Sequence, residues 1–138
     1  MLKAEGRVYT LGDTIGCMGR NAVYNIDVLK EAIKGTVPLV NNFGRLNDPG
    51  NVIGHCDLDI RGDELWASVT ILEPYEDTMK AALDNGYSPK LGFYANGVLK
   101  EELDEKLGGG YAVTRMYIRS VALNETCLGG PLENIKKG

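Results

Sequence analysis

The chain has 138 residues, of which 43% are hydrophobic and 25% are charged, and its formal net charge is −4. This length and composition are typical of one globular domain, and we predict a single domain over 1–138, with a core over 1–128 and a loosely ordered tail over 129–138. The acidic balance argues against a nucleic-acid partner held through phosphate contacts, and no apolar run approaches the ~20 residues that cross a bilayer.

Glycines punctuate short segments throughout the chain, a pattern typical of a β-rich protein. Hydrophobic periodicity then assigns the elements of the first half. In chain order these are a strand over 6–11, a helix over 22–35 that Asp27 caps, a strand over 36–42, and a hairpin over 52–72 that turns at residues 61–63.

The second half begins with a helix over 73–86, which has Pro74 in its first turn. A strand over 87–97 follows, then a charged segment over 98–110 that is either a short helix or an exposed excursion, and a long last strand over 111–125. Strands and helices are interleaved, but the strands are short and linked as hairpins. This order predicts an α+β fold with a barrel-like, antiparallel or mixed sheet flanked by two or three helices.

The cysteines and the histidine content argue against a metal site or a disulfide framework. Cys17, Cys56 and Cys127 are odd in number and far apart, so we expect free thiols packed as small apolar groups. The sequence contains one histidine and no closely spaced pair of ligands, so it lacks the ligand set of a zinc site. We expect neither a metal nor a cofactor. The first residues lack the apolar run of a secretory signal, so we expect synthesis in a cytoplasm.

The segment YSPKLGF contains the first candidate for catalysis, because Ser88 precedes Lys90 by two positions. Alternate residues of a strand share one face, and a buried lysine can act as a base toward a serine. A serine and a lysine at this spacing also occur often by chance, and Lys90 lies in a hydrophilic context. An ordinary strand is therefore the preferred interpretation.

His55 is the only histidine of the sequence, so a serine–histidine mechanism would have to use it as the base. A single histidine on a strand is more often structural. Asp57 and Asp59 follow on one strand face, which could hold a hard cation. The glycine pattern of a calcium-binding loop is missing, so a solvated strand face beside the turn with Asp63 and Glu64 is the preferred interpretation.

Two further features have an ordinary structural explanation. The stretch GGGYAVTR lacks the lysine and hydroxyl residue of a phosphate-binding loop, and we interpret it as a flexible linker. Tyr94, Tyr111 and Tyr117 are candidates for an interface, but strand tyrosines more often pack inside a barrel, and packing is preferred here. Spacing alone therefore predicts an α+β domain and no catalytic site above background.

Three longer stretches occur in an informative order: VPLVNNFGRLNDPGNVIGHCDLDIRGDELWASVTI, MKAALDNGYSPKLGFYANG and YIRSVALNE. Together they resemble the tailed-phage prohead proteases, which act in capsid maturation, and the resemblance covers residues 4–131. It implies a herpesvirus-protease-like fold, in which helices surround a β-barrel. It also implies catalysis by a serine, a histidine and a third polar residue.

The resemblance places unsuitable residues at the catalytic positions. The family serine of the S-x-G-F motif falls on Lys90, and the family histidine falls on Phe43, or on Asn42 if the alignment shifts by one. The third position, an acid, falls near Arg119 or Ser120. A phenylalanine cannot accept a proton from a hydroxyl, and the other replacements also lack the family chemistry. The resemblance therefore implies a degenerate serine protease.

A non-catalytic phage protein is the function that this resemblance implies. Such a protein would bind the major capsid protein in the virion, as an auxiliary, decoration or head-assembly component, with self-association as a further option. Two alternatives stay open. The first is an active prohead endopeptidase with Ser88 as the nucleophile and His55 as the base, although a two-residue offset moves a group by about 6–7 Å. The second is a small oligomerising domain without a capsid role.

Overall fold

The computed structural model describes residues 1–12, 15–17, 20–41, 49–103, 109–125, 127 and 129–137, apart from the side chains of 15–17, 20, 21 and 49. These residues form nine strands, two α-helices and a 3-10 turn at Pro49–Asn51. In chain order the elements are β1 (Leu2–Thr10), β2 (Ile15–Cys17), β3 (Arg20–Val23), α1 (Ile26–Ala32), β4 (Val37–Asn41), β5 (Val52–Arg61), β6 (Glu64–Ile71), α2 (Glu73–Asp84), β7 (Lys90–Glu102), β8 (Tyr111–Asn124) and β9 (Glu133–Lys137).

All the strands in the described residues belong to one mixed sheet. Eight of them lie in the order β2-β3-β8-β4-β5-β6-β1-β9, and β7 pairs with β8 beside this path. β3 and β4 run parallel to β8, whereas the other pairs are antiparallel. The predicted α+β class and mixed sheet are therefore confirmed.

Helix α1 is shorter than the helix predicted over 22–35, because β3 occupies the first part of that range. Asn25, and not Asp27, caps it: the Asn25 side chain accepts a hydrogen bond of 2.9 Å from the backbone N–H of Val28. An N-cap needs an extended backbone, which Asn25 has, whereas Asp27 already lies in the first turn. The buried face of the helix consists of Val28, Leu29 and Ala32.

Strand β7 differs from its prediction at both ends. It begins at Lys90 and not at 87, since Pro89 has no N–H to donate to a sheet. It continues to Glu102, paired with β8 through three register shifts, so residues 98–102 are strand and not helix. Residues 104–108 lie outside the described part of the chain.

The tail over 129–138, predicted to be loosely ordered, contains a strand. β9 pairs antiparallel with β1, and Lys136 lies opposite Lys3. Its side chains are all exposed, and this lack of an apolar pattern is why periodicity did not indicate a strand here. No helix in the described ranges is both long enough and apolar enough to cross a membrane.

Most buried apolar side chains form one large core cluster, a second small cluster consists of Val40, Ala122 and Cys127, and aromatic side chains connect distant parts of the large one. Tyr9 of β1, Tyr24 before α1 and Phe93 of β7 meet edge to face, with ring centroids 5.4 to 6.0 Å apart. Edge-to-face contacts stabilise the fold in addition to the stabilisation from burial of the rings. The largest fully buried aliphatic side chains are Leu29, Leu39, Leu65, Ile71, Leu91, Ile118 and Leu123.

Two glycines after β8 join β7 to β1, and we call them the glycine join. The N–H of Gly129 donates to the carbonyl of Leu91 (2.8 Å), and the N–H of Leu91 donates to the carbonyl of Gly130 (3.0 Å). The N–H of Gly130 donates to the carbonyl of Arg7 in β1 (2.8 Å). A Cβ at Gly129 would collide with the carbonyl oxygens of Leu91 and Arg7, so this position requires glycine.

We expect Gly129→Ala to lower the free energy of unfolding by about 2–3 kcal/mol, because backbone on both sides must move to admit a methyl group. Gly130→Ala is the matched control. Its Cβ would meet Arg7 no closer than 3.4 Å, and we expect a change within about 0.5 kcal/mol. Urea unfolding followed by circular dichroism measures both. Equal losses in the two variants would contradict the tight contact at Gly129.

Candidate functional site

The structure does not place Ser88 and Lys90 side by side on a strand. Ser88 is exposed in the connection before β7, and Lys90 is the exposed first residue of β7, opposite Asn124 of β8. Pro89 between them is fully buried and anchors the connection. A lysine that acts as a base needs burial, and this environment does not supply it.

His55 belongs to a row of residues that crosses the sheet on the face opposite the core. Core or core-packed residues flank Lys3, Thr70, Pro38 and Tyr94 along their strands, so these members of the row point outward. The pairing registers place the members of the row level with one another, and Ser120 joins it where the β4–β8 register is extended by one residue from Leu39 and Val121. From β9 to β7, this outer row consists of Lys136, Lys3, Thr70, His55, Pro38, Ser120 and Tyr94.

The register separates His55 from Ser88. β4 and β8 lie between the strand of His55 and β7. His55 is level with Tyr94, which lies four residues or about 13 Å into β7 from Lys90, and Ser88 lies in the connection before that strand. The nucleophile and the base of the alternative protease mechanism are therefore not brought together.

The third family position is also remote from Lys90. Arg119 and Ser120 lie four or five residues along β8 from Asn124, the residue opposite Lys90. That offset corresponds to about 13–17 Å. Phe43 and Asn42, the two candidates for the family histidine position, lie outside the described residues.

Two buried polar atoms of the outer row lack a hydrogen-bond partner among the described residues, Nδ1 of His55 and Oγ of Ser120. Pro38 lies between them, so their Cα atoms are about 10 Å apart, two strand spacings. Ser120 is 1% exposed. The row contains no serine–histidine hydrogen bond, and the Ser120 hydroxyl is a cost to stability rather than a nucleophile with a base.

We expect Ser120→Ala to leave the free energy of unfolding unchanged or to raise it by up to about 1 kcal/mol, because no hydrogen bond is lost and a buried hydroxyl is removed. Chemical denaturation measures this change, and Ser68→Ala at an exposed position is the control. A loss of more than about 1 kcal/mol in Ser120→Ala would show that the hydroxyl has a partner.

The acidic residues after His55 are engaged with separate partners and do not form a cluster. Asp57 accepts a hydrogen bond of 2.6 Å from the Thr36 hydroxyl, and Asp59 pairs with Arg61 at 3.2 Å. The Glu64 carboxylate accepts from a neighbouring indole N–H at 3.0 Å. Across the described ranges, no three histidine, cysteine or acidic side chains are placed to hold a metal ion.

The two cysteines whose side chains are described, Cys56 and Cys127, are free and buried. Burial raises the pKa of the Cys56 thiol to about 12, with a further contribution from the charge of Asp57. Burial also raises the pKa of Cys127. Since the thiolate is the reactive form, neither residue is an activated nucleophile.

We expect the thiols of Cys56 and Cys127 to react with dithiobis(nitrobenzoate) at least about a hundredfold more slowly in the folded protein than in urea. The Cys17→Ser variant is used so that only these two are titrated. The absorbance of the released thiolate at about pH 8 measures the rates. A thiol that reacts equally fast before and after unfolding would contradict its burial.

An exposed patch on the β7–β8 pair is the most distinctive surface of the outer face. Tyr94 (46% exposed), Leu99 (56%) and Tyr117 (42%) are the large apolar side chains on this pair that face solvent. Two exposed arginines lie among them. We define the tyrosine–arginine patch as Tyr94, Leu99, Arg115, Tyr117 and Arg119.

Contacts inside the patch hold its side chains in defined positions. The guanidinium carbon of Arg119 lies 5.9 Å from the centre of the Tyr94 ring, a cation–π distance. The Tyr117 ring lies against Gly97, where an added Cβ would come within 3.1 Å of it. Leu99 is opposite Arg115 in the register. Ordered aromatic and arginine side chains lose less conformational freedom on binding a partner.

The preferred prediction for these tyrosines, packing inside a barrel, is wrong for Tyr94 and Tyr117. Met116 and Ile118 take the inward positions on β8, so Tyr117 between them points to solvent. The alternation of R-M-Y-I-R over 115–119 contained this signal, because a period of two places both arginines and the tyrosine on one face. Tyr111 is half-buried, with the Lys100 ammonium 4.5 Å from its ring centre.

No protein-family model, curated protein sequence or solved structure matches this chain. The similarity to prohead proteases therefore rests on the motifs of the sequence alone. The exposure and the contacts of the side chains on the outer face are the structural features from which a function is inferred.

Proposed function

We propose that this chain is a non-catalytic structural protein of a phage virion, on a prohead-protease-like fold, and that it binds the major capsid protein as an auxiliary, decoration or head-assembly component. The tyrosine–arginine patch is the binding surface, and its ordered exposure is the observation that carries the proposal. Tyrosine and arginine are enriched where protein interfaces gain most of their binding energy. The patch also carries two positive charges on a chain of net charge −4.

The position of Lys90 supports the degenerate origin of the fold. β4, after which the family histidine position follows, ends at Asn41, which pairs with Leu123 of β8. Leu123 pairs with Leu91, the residue next to Lys90. The strand ends that would carry the family histidine and serine are therefore neighbours across β8. At the serine position stands an exposed lysine without a hydroxyl to attack a peptide bond.

We also propose that the sheet has the barrel-like form of that fold. The glycine join bonds the start of β7 to β1, although these strands lie at different places in the sheet order. The contact of Tyr9 with Phe93 links the same two strands from the core side, with ring centroids 6.0 Å apart. Together these contacts support a sheet that curls until β1 and β7 meet, with α1 and α2 around it.

We expect the purified protein to co-sediment with capsids assembled from the cognate major capsid protein, and the Tyr94→Ala, Tyr117→Ala double variant to bind at least about tenfold more weakly. Truncation removes buried ring area at the centre of the patch. The Tyr94→Phe, Tyr117→Phe variant is the matched control, because it keeps both rings and should retain most of the affinity. Circular dichroism confirms that each variant is folded.

The same mixtures separate the alternatives. An unchanged capsid-protein band on a gel is expected, and Ser88→Ala should bind as the wild type does. Specific cleavage that is lost in Ser88→Ala would refute the non-catalytic assignment in favour of the endopeptidase. Absence of co-sedimentation by the wild type, together with self-association in native mass spectrometry, would refute the capsid role in favour of the oligomerising domain.

A further inference from the structure

A groove of about 580 Å³ lies on the outer face and shares no residue with the tyrosine–arginine patch. Side chains of β9, β1, β6 and β5 surround it. Its size is within the range of sites that bind small ligands or short peptide segments. The outward-pointing residues that line it are Lys3, Glu5, Asp57, Ser68, Thr70, Asn134, Ile135 and Lys136.

Two lysines lie side by side in this groove. Lys3 and Lys136 are directly opposite in the β1–β9 register, where like charges destabilise a strand pair. Neither forms an ion pair within the described part of the chain. A lysine on an edge strand can serve to prevent unwanted pairing, but that explains Lys136 only, because β1 lies inside the sheet between β6 and β9.

The acidic residues of the groove accept hydrogen bonds from groups other than the two lysines, and each carboxylate can accept further bonds. Glu5 accepts hydrogen bonds from the Asn134 amide (2.7 Å) and from the Arg61 guanidinium (3.1 Å), and both lower its pKa. Lys136 is the weakest of the influences on this carboxylate. Asp57 accepts from a threonine hydroxyl. The two exposed ammonium groups are therefore available to an anion from outside the described residues.

We propose that this groove binds an extended peptide segment of a protein partner, with a carboxylate of that segment seated between Lys3 and Lys136. The Thr70 hydroxyl stands beside Lys3 in the same row and can donate to the same carboxylate. Exposed Ile135 supplies an apolar wall for the adjoining part of the segment. The inference is independent of the proposed function, since it uses a different surface and does not require a capsid partner.

The next row of the groove favours a peptide over a free phosphate. Glu5, Ser68 and Asp57 are level with one another, two residues further along their strands than Lys3 and Thr70. The two rows are therefore about 7 Å apart, which is also the separation of alternate residues in an extended chain. A peptide can place a carboxylate on the lysine row and a cation or N–H donor on the acidic row, whereas a compact phosphate cannot use both.

The test is a titration of the full chain with acetyl-Ala-Glu-Ala-Lys-Ala-amide, followed by amide and side-chain NMR shifts. We expect shifts at Lys3, Thr70, Ser68 and Lys136, and weaker binding at about 0.5 M salt because charge attraction is screened. Lys3→Gln and Lys136→Gln should each weaken binding about fivefold. Lys30→Gln, at an exposed position on α1, is the matched control and should bind as the wild type does.

Three outcomes would overturn the proposal. The first is equal binding by the Lys3→Gln, Lys136→Gln double variant in its folded state, and the second is equal binding of the peptide in which glutamine replaces the glutamate. The third is inorganic phosphate that causes the same shifts at equal or higher affinity, which would assign the lysines to a small oxyanion. Thermal unfolding is a further measurement. We expect Lys136→Gln to unfold at a slightly higher temperature than the wild type, because the repulsion between the two lysines is removed.

Discussion

The hydrogen bonds of the glycine join are the constraint on which the arrangement of this protein depends. Three backbone bonds of 2.8 to 3.0 Å fix Gly129 and Gly130 between Leu91 of β7 and Arg7 of β1. A hydrogen bond of this kind adds only about 1 kcal/mol to stability, but these bonds determine which strands meet. They bring together Arg7 and Leu91, which are 84 positions apart in the chain. One end of the outer row, Tyr94, lies on β7, and the other end, Lys136, lies on β9, which pairs with β1.

Once the sheet is fixed in this way, strand alternation decides what the outer face can do. Inward residues of β8 complete the core, and the residues between them, Arg115, Tyr117 and Arg119, face solvent. The same rule places Lys3 of β1 outward, and exposed Lys136 of β9 is paired with it. The outer face thus has two chemically different ends, one aromatic and cationic and one a groove with opposed lysines. Under the two proposals, the first end binds the capsid protein and the second binds an extended peptide segment.

Much of this architecture follows from the sequence, because it depends on local signals. The hairpin of β5 and β6 and the helix α2 were predicted within a few residues, since alternation, turn glycines and the position of Pro74 act over short distances. β9 could not be predicted, because its pairing with β1 is specified by backbone bonds and not by an apolar pattern. The outer row could not be predicted from the sequence either, because its composition depends on the register of seven strands. No single segment contains that information.

Under the proposed function, the exposure of Lys90 accounts for the loss of a nucleophile from a fold that persists. Lys90 is exposed at a strand end and contributes little buried apolar surface, so exchange of the residue there costs the core almost nothing. Leu91, the next residue, is fully buried and bonded to the glycine join, so it cannot vary in the same way. Folding therefore constrains the inward residue, Leu91, whereas the outward residue, Lys90, is free to change with function. Under the proposed function, a strand that once presented a nucleophile can keep its inward side intact while its outward side evolves toward binding.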